Sequence, residues 1–334
     1  MQSVTTTPVP LLEVWRGGRL ESVHYGSIAV CDLKGKLIYA RGNPQTPTYL
    51  RSSAKPFQTI ASVKLGTADH FQFTDAEVAM MCASHGGQAI HTQAIQGMAQ
   101  KCKASLDLLQ CGPHVPYHEA TAEELVRRGE KPARIHNNCS GKHMGMIASC
   151  LKQHWPIENY RDPNHPLQKA ISATMAAYAD HAGEIPVAVD GCGVPTFYLS
   201  LAEAALAYAR LASTKAHPTD YEAAGLRVAK AVRTNPVLIG HEGQFGTILL
   251  EKLGQHIVAK SGAEGMFCVG LSDKGLGLAI KVTDGGQRAV GPIVVKLLEQ
   301  FLHEVSVAEV TKLVIKPILN TRDEVVGEIK VVNL

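Results

Sequence analysis

The chain has few aromatic and few charged residues and no long apolar run. Aromatic side chains make up 5% of its 334 residues, charged side chains 19%, and the formal net charge is +3. A small net charge without a basic cluster argues against a nucleic-acid partner. Because no stretch of about 18 apolar residues is present, we expect no membrane-spanning helix. The hydrophobic content of 45% is instead typical of a globular chain with a sizeable core, and it excludes disorder for most of the length.

The N-terminal segment also lacks the features of a secretory signal. Its sequence, MQSVTTTPVPLLEVWRGG, has no basic start and no long apolar core, so we expect the chain to stay in the reducing cytoplasm. The eight cysteines are therefore interpreted as thiols rather than as a disulfide framework. Most of them are expected to be small buried residues, and a few are candidates for metal binding.

The order of the secondary-structure patterns predicts an α+β fold. Two β-rich runs, Val23–Val30 and Lys36–Arg41, flank a turn signal and predict a hairpin. A mainly helical pattern then extends from Ser52 to about Arg233. In the last third we expect strands at Ile257–Lys260, Gly265–Leu271, Leu276–Val282 and Glu328–Val332 and a helix at Val290–Val305. Strands at both ends with helices between them predict one sheet built from both termini around a large helical region.

The segment RSSAKP, at Arg51–Pro56, is the first candidate for catalytic chemistry. Ser52 and Lys55 are three residues apart and would share one face of a helix, so the amine could reach the hydroxyl. A serine is a weak nucleophile until a base takes its proton, and a desolvated lysine can be that base. Pro56 indicates that the helix begins near Ser52, where free backbone N–H groups would favour a developing oxyanion. The alternative for this motif alone is a solvated helix start.

A second motif, Lys260-Ser261-Gly262, ends an apolar run far downstream. A Ser-x-x-Lys motif followed by Lys-Ser-Gly on a late strand is the chain order of penicillin-recognising serine enzymes. The lysine would supply positive charge for a carboxylate or tune the pKa of a serine. The two motifs together point to acyl-transfer chemistry, whereas the second motif alone is equally a strand-end lysine followed by a turn.

Three more segments combine polar side chains with glycines: Cys82–Gly87, His136–Gly145 and Asp190–Pro195. The cysteine, histidine and aspartate side chains in such loops are candidate zinc ligands. None of the segments has the Cys-x2-Cys or His-Glu-x-x-His spacing of familiar zinc sites. Spacing alone therefore favours a buried structural residue for each cysteine.

Five strings in one order resemble the rhizobial-type (class 3), zinc-containing L-asparaginases: RSSAKP, CASHGG, HNNCSGKHMGM, VDGCGVPTF and KSGAEG. The resemblance extends from about Tyr25 to Asp284. It implies a fold similar to serine β-lactamases and glutaminases, in agreement with the α+β plan. It also implies a single catalytic unit over residues 1–334, with 1–50 and 234–334 forming the α/β part and 51–233 the mainly helical part.

The resemblance further implies a set of site residues. Ser52 with Lys55, and Ser84 with Lys260, would form two Ser–Lys pairs. The zinc ligands would be Cys139, Lys142 and Cys192, an unusual set because a lysine amine must be neutral to bind a metal. The resemblance implies one zinc ion per chain, which need not supply the nucleophile. Arg51, His143 and Asp190 adjoin these groups and are candidate substrate-binding residues.

The reaction expected from this resemblance is hydrolysis of L-asparagine to L-aspartate and ammonia. Ser52, deprotonated by Lys55, would form an acyl-enzyme, while Ser84 and Lys260 would relay protons or share the nucleophile role. A cytoplasmic homodimer acting on a small-molecule substrate is expected. Two alternatives stay open: a glutaminase or other serine amidohydrolase of the same fold, and a non-catalytic zinc-binding or thiol-sensing protein. Ammonia release from asparagine separates these classes.

Overall fold

The computed structural model describes residues 6–302 and 305–334. In chain order the strands are β1 (Val9–Arg16), β2 (Arg19–Asp32), β3 (Leu37–Arg41), β4 (Pro47–Tyr49), β5 (Val187–Val189), β6 (Pro195–Ser200), β7 (Ile257–Ser261), β8 (Met266–Leu271), β9 (Leu276–Val282), β10 (Ile318–Leu319) and β11 (Val325–Val331). The first five residues lie outside the described part. They belong to the N-terminal segment for which the sequence predicts no signal peptide.

The helices are α1 (Lys55–Lys64), α2 (Thr67–His70), α3 (Asp75–Met81), α4 (Ala89–Cys102), α5 (Glu119–Arg127), α6 (Ser140–Gln153), α7 (Pro166–Ala179), α8 (Leu201–Ala212), α9 (Glu222–Thr234), α10 (Pro236–Ile239), α11 (Phe245–Leu253), α12 (Gln287–Phe301) and α13 (Ala308–Val314). Short 3-10 turns lie at Arg51–Ala54, Leu106–Leu108 and Arg134–His136. Across the described residues, no helix combines the length and apolar character needed to cross a membrane.

One antiparallel sheet joins the two ends of the chain, as predicted. Its strand order is β10-β11-β1-β2-β9-β8-β7, and β3 also pairs with β2. The long strand β2 pairs with β1 through its first half and with β3 and β9 through its second half. The α+β plan, with a large helical region between terminal strands, is therefore confirmed.

Helix α8 approaches this sheet closely at two glycines. Gly270 and Gly277 are cross-strand partners on β8 and β9. A methyl group on Gly270 would overlap the backbone oxygen of Tyr208 in α8, and one on Gly277 would overlap the backbone oxygen of Ala205 in the same helix. The absence of side chains on these two residues thus lets the helix backbone pack directly on the sheet, while α12 packs against β1, β9 and β11.

Helix α1 lies at the centre of the helical region. Every residue from Lys55 to Val63 is buried, and α3, α6, α7 and α9 pack around it. A helix that is buried on all sides must bury its polar groups too, which makes Lys55 a buried lysine at its first turn. The predicted helix start at Ser52 is a 3-10 turn instead, and the α-helix begins at Lys55.

The structure corrects the sequence-based assignment in two places. Strand β1 had no predicted counterpart, and its pattern is interrupted by Pro10, beside which the pairing register shifts. A second, three-stranded sheet of order β4-β6-β5 joins residues 47–49 to the mainly helical part. The hairpin of β5 and β6 is important for the site because its turn carries Asp190 and Cys192. The predicted helix Val290–Val305 lies at Gln287–Phe301, and residues 303 and 304 are not described.

Candidate active site

Ser84 lies in a loop that two other segments hold in place. The loop follows α3, whose first turn has a capping box between Thr74 and Glu77. The backbone N–H of Ser84 donates to Ile239 O at 2.9 Å, and that of His85 donates to Asn138 O at 3.1 Å. The segment CASHGG is therefore fixed against the end of α10 and against the HNNC segment, both of which come from distant parts of the chain.

Two buried lysines converge on the Ser84 hydroxyl. Lys55 Nζ donates to Ser84 Oγ at 2.9 Å and to Ala83 O at 2.5 Å. Lys260 Nζ, from β7, donates to the same Oγ at 2.9 Å and to Ser261 O at 3.1 Å. The lysines are 1% and 2% exposed. Burial and the neighbouring charge of Lys55 hold the pKa of Lys260 well below its usual range, which favours a neutral amine able to accept a proton.

Ser52 faces the same cavity but is not joined to Lys55. The cavity has a volume of about 430 Å³, and we call it the serine cavity. Its walls are Ser52, Ser84, Tyr117, Asn138, Gln244, Ser261, Gly262, Ala263, Glu264, Gly285 and Gln287. Within the described part of the chain, the Lys55 amine binds Ser84 rather than Ser52. The hydrogen bonds therefore do not divide the four residues into the two separate Ser–Lys pairs that the resemblance implied.

The turn that carries Ser52 begins at a strained residue. Arg51 has φ +51°, an uncommon conformation for a residue with a side chain. Its backbone N–H donates to Thr196 Oγ1 at 3.1 Å, and its Nε donates to Asp190 Oδ1 at 2.6 Å. Both partners belong to the β5–β6 hairpin. Arg51 and Asp190 therefore bind each other, and the substrate-binding role expected for each of them stays a prediction.

The three expected zinc ligands lie together in a buried cluster beside this hairpin. Cys139 caps the N-terminal end of α6, Lys142 lies in the first turn of that helix, and Cys192 lies in the β5–β6 turn. Lys142 Nζ donates to Cys192 Sγ at 3.0 Å. The three residues are 3–6% exposed. We call Cys139, Lys142 and Cys192 the thiol–lysine cluster.

Electrostatics within the thiol–lysine cluster favour a thiolate on Cys192. Its hydrogen bond with Cys139 lowers the pKa of Cys192 and raises that of Cys139 well above its usual range. Burial acts to lower the pKa of Lys142, but the Cys192 and Cys139 sulfurs outweigh it and raise that pKa. With protein groups alone, these shifts favour an ammonium on Lys142 and a thiolate on Cys192.

His143 is fully buried against the same cluster. Its Nδ1 pairs with Tyr160 Oη at 2.6 Å, and its ring also interacts with the Cys192 sulfur. Burial lowers the pKa of His143, while the nearby Cys192 sulfur opposes the shift. This residue is thus in contact with the cluster and not with the serine cavity.

A donor set of two sulfurs and one nitrogen agrees with the chemistry of zinc. Zn–S bonds of about 2.3 Å and Zn–N bonds of about 2.0 Å place tetrahedral ligands roughly 3.5 Å apart. The Lys142–Cys192 separation of 3.0 Å requires only a small adjustment to reach that value. No group of three or more His, Cys, Asp and Glu side chains in the described ranges is arranged to hold a metal ion. The expected site has only two donors of those types because its third is a lysine.

Comparison with known sequences identifies the family. A family model described as L-asparaginase II matches residues 12–331. The chain belongs to the L-asparaginase II family. The resemblance stated from the five strings is thereby confirmed over nearly the whole chain. Comparison with curated proteins gives no match.

Several solved structures are similar at low identity. Mglu in its native form is 12% identical, with a TM-score of 0.38, and the match covers 83% of this chain. It covers 64% of Mglu, so this chain spans less than two thirds of that relative. A Bacillus glutaminase in 4.3 M NaCl is 12% identical over 83% of this chain and 91% of that one, with a TM-score of 0.38. A putative beta-lactamase from Bacteroides dorei DSM 17855 is 12% identical over 82% and 93%, with a TM-score of 0.41.

The structure adds site residues that sequence reasoning missed in this member of the L-asparaginase II family. Asn138 and Glu264 line the serine cavity and lie inside two of the five strings, so the sequence did contain a signal that marks them. Tyr117, Gln244 and Gln287 also line it. Nothing in their local sequence marks them, because they reach the cavity only through the folding of distant loops.

Proposed function

We propose that this protein is an L-asparaginase, which hydrolyses L-asparagine to L-aspartate and ammonia through a Ser–Lys acyl-enzyme. Membership of the L-asparaginase II family supports this proposal. The observation that carries it is the convergence of Lys55 and Lys260 on Ser84 in a cavity that also contains Ser52. A serine hydroxyl beside a neutral, buried lysine is the arrangement that activates a nucleophile without a metal or a histidine.

In this proposal Ser52 is the nucleophile and Ser84 transfers its proton. Ser84 Oγ lies 2.9 Å from the Nζ atoms of both Lys55 and Lys260, so it can accept a hydrogen bond from Lys55 and donate its own proton to the neutral Lys260 amine. Ser52 is more exposed and faces the same cavity. Its hydroxyl would attack the side-chain amide carbon and pass its proton through Ser84 to Lys260. The resulting ammonium would then protonate the amide nitrogen of the substrate, which leaves as ammonia, and water would hydrolyse the ester. The alternative is that Ser84 itself attacks.

The polar groups of the serine cavity suit a small amino-acid substrate. The Glu264 carboxylate lies beside Gly285 at the cavity wall and is a suitable contact for an α-ammonium group. Asn138, Gln244 and Gln287 supply amide N–H donors suited to an α-carboxylate. Glutamine is the second candidate substrate, because a cavity of about 430 Å³ also accommodates one more methylene group.

We further propose one Zn²⁺ ion per chain, held by Cys139, Lys142 and Cys192. Zinc would supply a strong positive charge that keeps both thiols ionised and the Lys142 amine neutral. The ligand-bearing elements themselves join the N-terminal end of α6 to the β5–β6 turn. Asp190 from that turn orients Arg51, the residue directly before Ser52. The cluster would therefore stabilise the turn that presents the nucleophile.

The deciding experiment measures ammonia release and the acyl-enzyme in single-serine variants. Ser52→Ala should lose turnover by a factor of at least about 10³ and accumulate no covalent aspartyl adduct by intact-protein mass spectrometry. Ser84→Ala should turn over slowly and still form the adduct. An adduct that disappears in Ser84→Ala and persists in Ser52→Ala would assign the attack to Ser84. Wild-type protein that releases no ammonia from asparagine would reject the function.

A further inference from the structure

The serine cavity continues into a second cavity. This second cavity, of about 240 Å³, shares Gln244, Ser261 and Gln287 with the serine cavity. We call it the apolar cavity. The two volumes therefore adjoin at three common residues. Together they exceed the space that a free asparagine molecule requires and fall within the roughly 300–1,000 Å³ of sites for larger ligands.

The walls of the second volume are mainly apolar. They include Phe245, Phe267, Val290, Pro292 and Val314. The rings of Phe245 and Phe267 lie 5.3 Å apart. The charged residue at its edge, Arg288, has its guanidinium engaged: Nε donates to His24 at 2.7 Å and Nη2 to Ser22 at 2.8 Å. The apolar cavity thus suits an alkyl or aryl group rather than an ion.

A glycine keeps part of this space open. Gly246 is the second residue of α11 and lines the apolar cavity. Its φ is not positive, and a methyl group added there would meet no atom within 4 Å. Glycine is less favourable than alanine within a helix. Neither a positive φ nor a close contact requires glycine here, and a side chain at this lining position would meet open space.

The apolar cavity opens beside the group that would protonate the departing amine. Ser261, which both cavities share, directly follows Lys260. Lys260 Nζ lies 2.9 Å from Ser84 Oγ and 3.5 Å from Ser261 Oγ. In an amide bound for attack by a serine in this cavity, the nitrogen must lie near its proton donor. A substituent on that nitrogen would therefore extend toward the apolar cavity.

We propose that the apolar cavity binds an apolar substituent on the amide nitrogen of the substrate, so that the enzyme also hydrolyses N4-alkyl and N4-aryl asparagines. This inference rests on the proposed function. The serine oxygen forms a bond to the amide carbon, the C–N bond breaks, and the amine leaves with the proton delivered from Lys260. Water then hydrolyses the aspartyl ester to free aspartate and regenerates the serine.

The experiment compares L-asparagine with L-aspartic acid β-(4-nitroanilide) in wild-type protein and in Gly246→Leu. Wild-type protein should release 4-nitroaniline. Gly246→Leu places a side chain in the apolar cavity and should raise KM for the anilide by at least about tenfold, while KM for asparagine changes by less than about twofold. Gly97→Ala, another helical glycine with room for a methyl group, is the matched control and should affect neither substrate.

Several results would overturn the inference. If wild-type protein hydrolyses asparagine but not the anilide, the inference is rejected and the proposed function is not affected. The same holds if Gly246→Leu changes KM equally for both substrates. Wild-type protein that hydrolyses neither rejects the proposed function itself. If circular dichroism shows that Gly246→Leu does not fold, the same two substrates are compared in Gly246→Ala. An intermediate KM rise confined to the anilide supports the inference, and its absence rejects it.

Discussion

At the scale of single residues, the site depends on two lysines that are buried within hydrogen-bonding distance of one hydroxyl. Burying a charged amine is costly, and placing two amines on Ser84 adds like-charge repulsion. The protein relieves this by favouring the neutral form of Lys260. In the proposed mechanism, the same shift that costs stability would provide the base, which is the usual relation between active-site strain and activity.

Lys260→Met should therefore lose activity and gain stability. We expect kcat/KM for asparagine to fall by a factor of about 10²–10⁴, because the base is removed. The melting temperature should rise near pH 7. The pKa of Lys260 is lowered in the folded state. Between that pKa and about 10.4, the Lys260 amine therefore binds a proton in the unfolded chain but not in the folded protein. The stability of the wild-type protein consequently falls as pH decreases through this range. The gain from methionine should shrink toward pH 10.

Thermal unfolding of the wild-type protein and of Lys260→Met near pH 7 and near pH 10 tests the direction of this pH dependence. Lys34→Met, at an exposed lysine, is the control and should show no such pH-dependent gain. A Lys260→Met protein that is less stable than wild type at pH 7 would contradict the idea that Lys260 is held neutral by burial.

At the scale of elements, the site is assembled from the ends of helices and strands. The N-terminal end of α1 brings Lys55, the end of β7 brings Lys260, and the loop after α3 brings Ser84 between them. The N-terminal end of α6 and the β5–β6 turn bring the thiol–lysine cluster together. Sheet, helices and hairpin must all be in place before these groups meet.

The proposed metal site belongs to this scale. Protein purified without a chelator should contain about one zinc ion per chain by elemental analysis, because the two thiols and the lysine offer a zinc-like donor set. Cys192→Ala should lose the metal. Cys102→Ala, which removes a thiol at the end of α4, should retain it. Equal zinc contents in the two variants would rule out the assignment of Cys192 as a ligand.

The packing of α8 on the sheet gives a test that concerns stability alone. Gly277→Ala should destabilise the protein by about 1–3 kcal/mol, because the added methyl group overlaps the backbone oxygen of Ala205 and forces the helix from the sheet. Gly97→Ala adds the same methyl group where only ordinary contact results. Urea unfolding of both variants measures the difference in their free energies of unfolding. Equal midpoints would show that α8 moves away from the sheet without loss of stability.

At the scale of the whole molecule, the serine cavity lies where the sheet edge meets the helical region. Ser261–Glu264 form one wall of the cavity and Ser52 and Ser84 another, so both parts of the chain line it. Assembly into a homodimer stays a prediction, which light scattering of the purified protein can test.

Asparagine should be hydrolysed faster than glutamine. If the charged ends of the substrate are held by fixed groups, the longer side chain of glutamine carries its amide carbon past Ser52, and a displacement of about 1 Å can cost roughly a hundredfold in rate. Paired ammonia-release assays at equal concentration measure the ratio. Equal or faster hydrolysis of glutamine would transfer the assignment to the glutaminase alternative.

Much of the fold could be predicted from local pattern. The β2–β3 hairpin, the strands β7 to β9 and the helix α12 follow from alternation or helical periodicity in contiguous residues. The small sheet of β4, β5 and β6 could not be predicted in this way. Its strands are three to six residues long, too short for a period to emerge, and they form because partners from residues 47–49 and 187–200 meet in space.

The same division holds for the candidate site. The sequence by itself determined which chemical groups are present and in what order, because Ser52, Ser84, Lys260 and the cysteines lie in recognisable strings. Only the tertiary structure decided which of them touch. Lys55 is three residues from Ser52 in sequence but binds Ser84, because burial of α1 aims the amine at the loop after α3. Local spacing limits what a side chain can reach, whereas packing against distant elements decides which partner it binds.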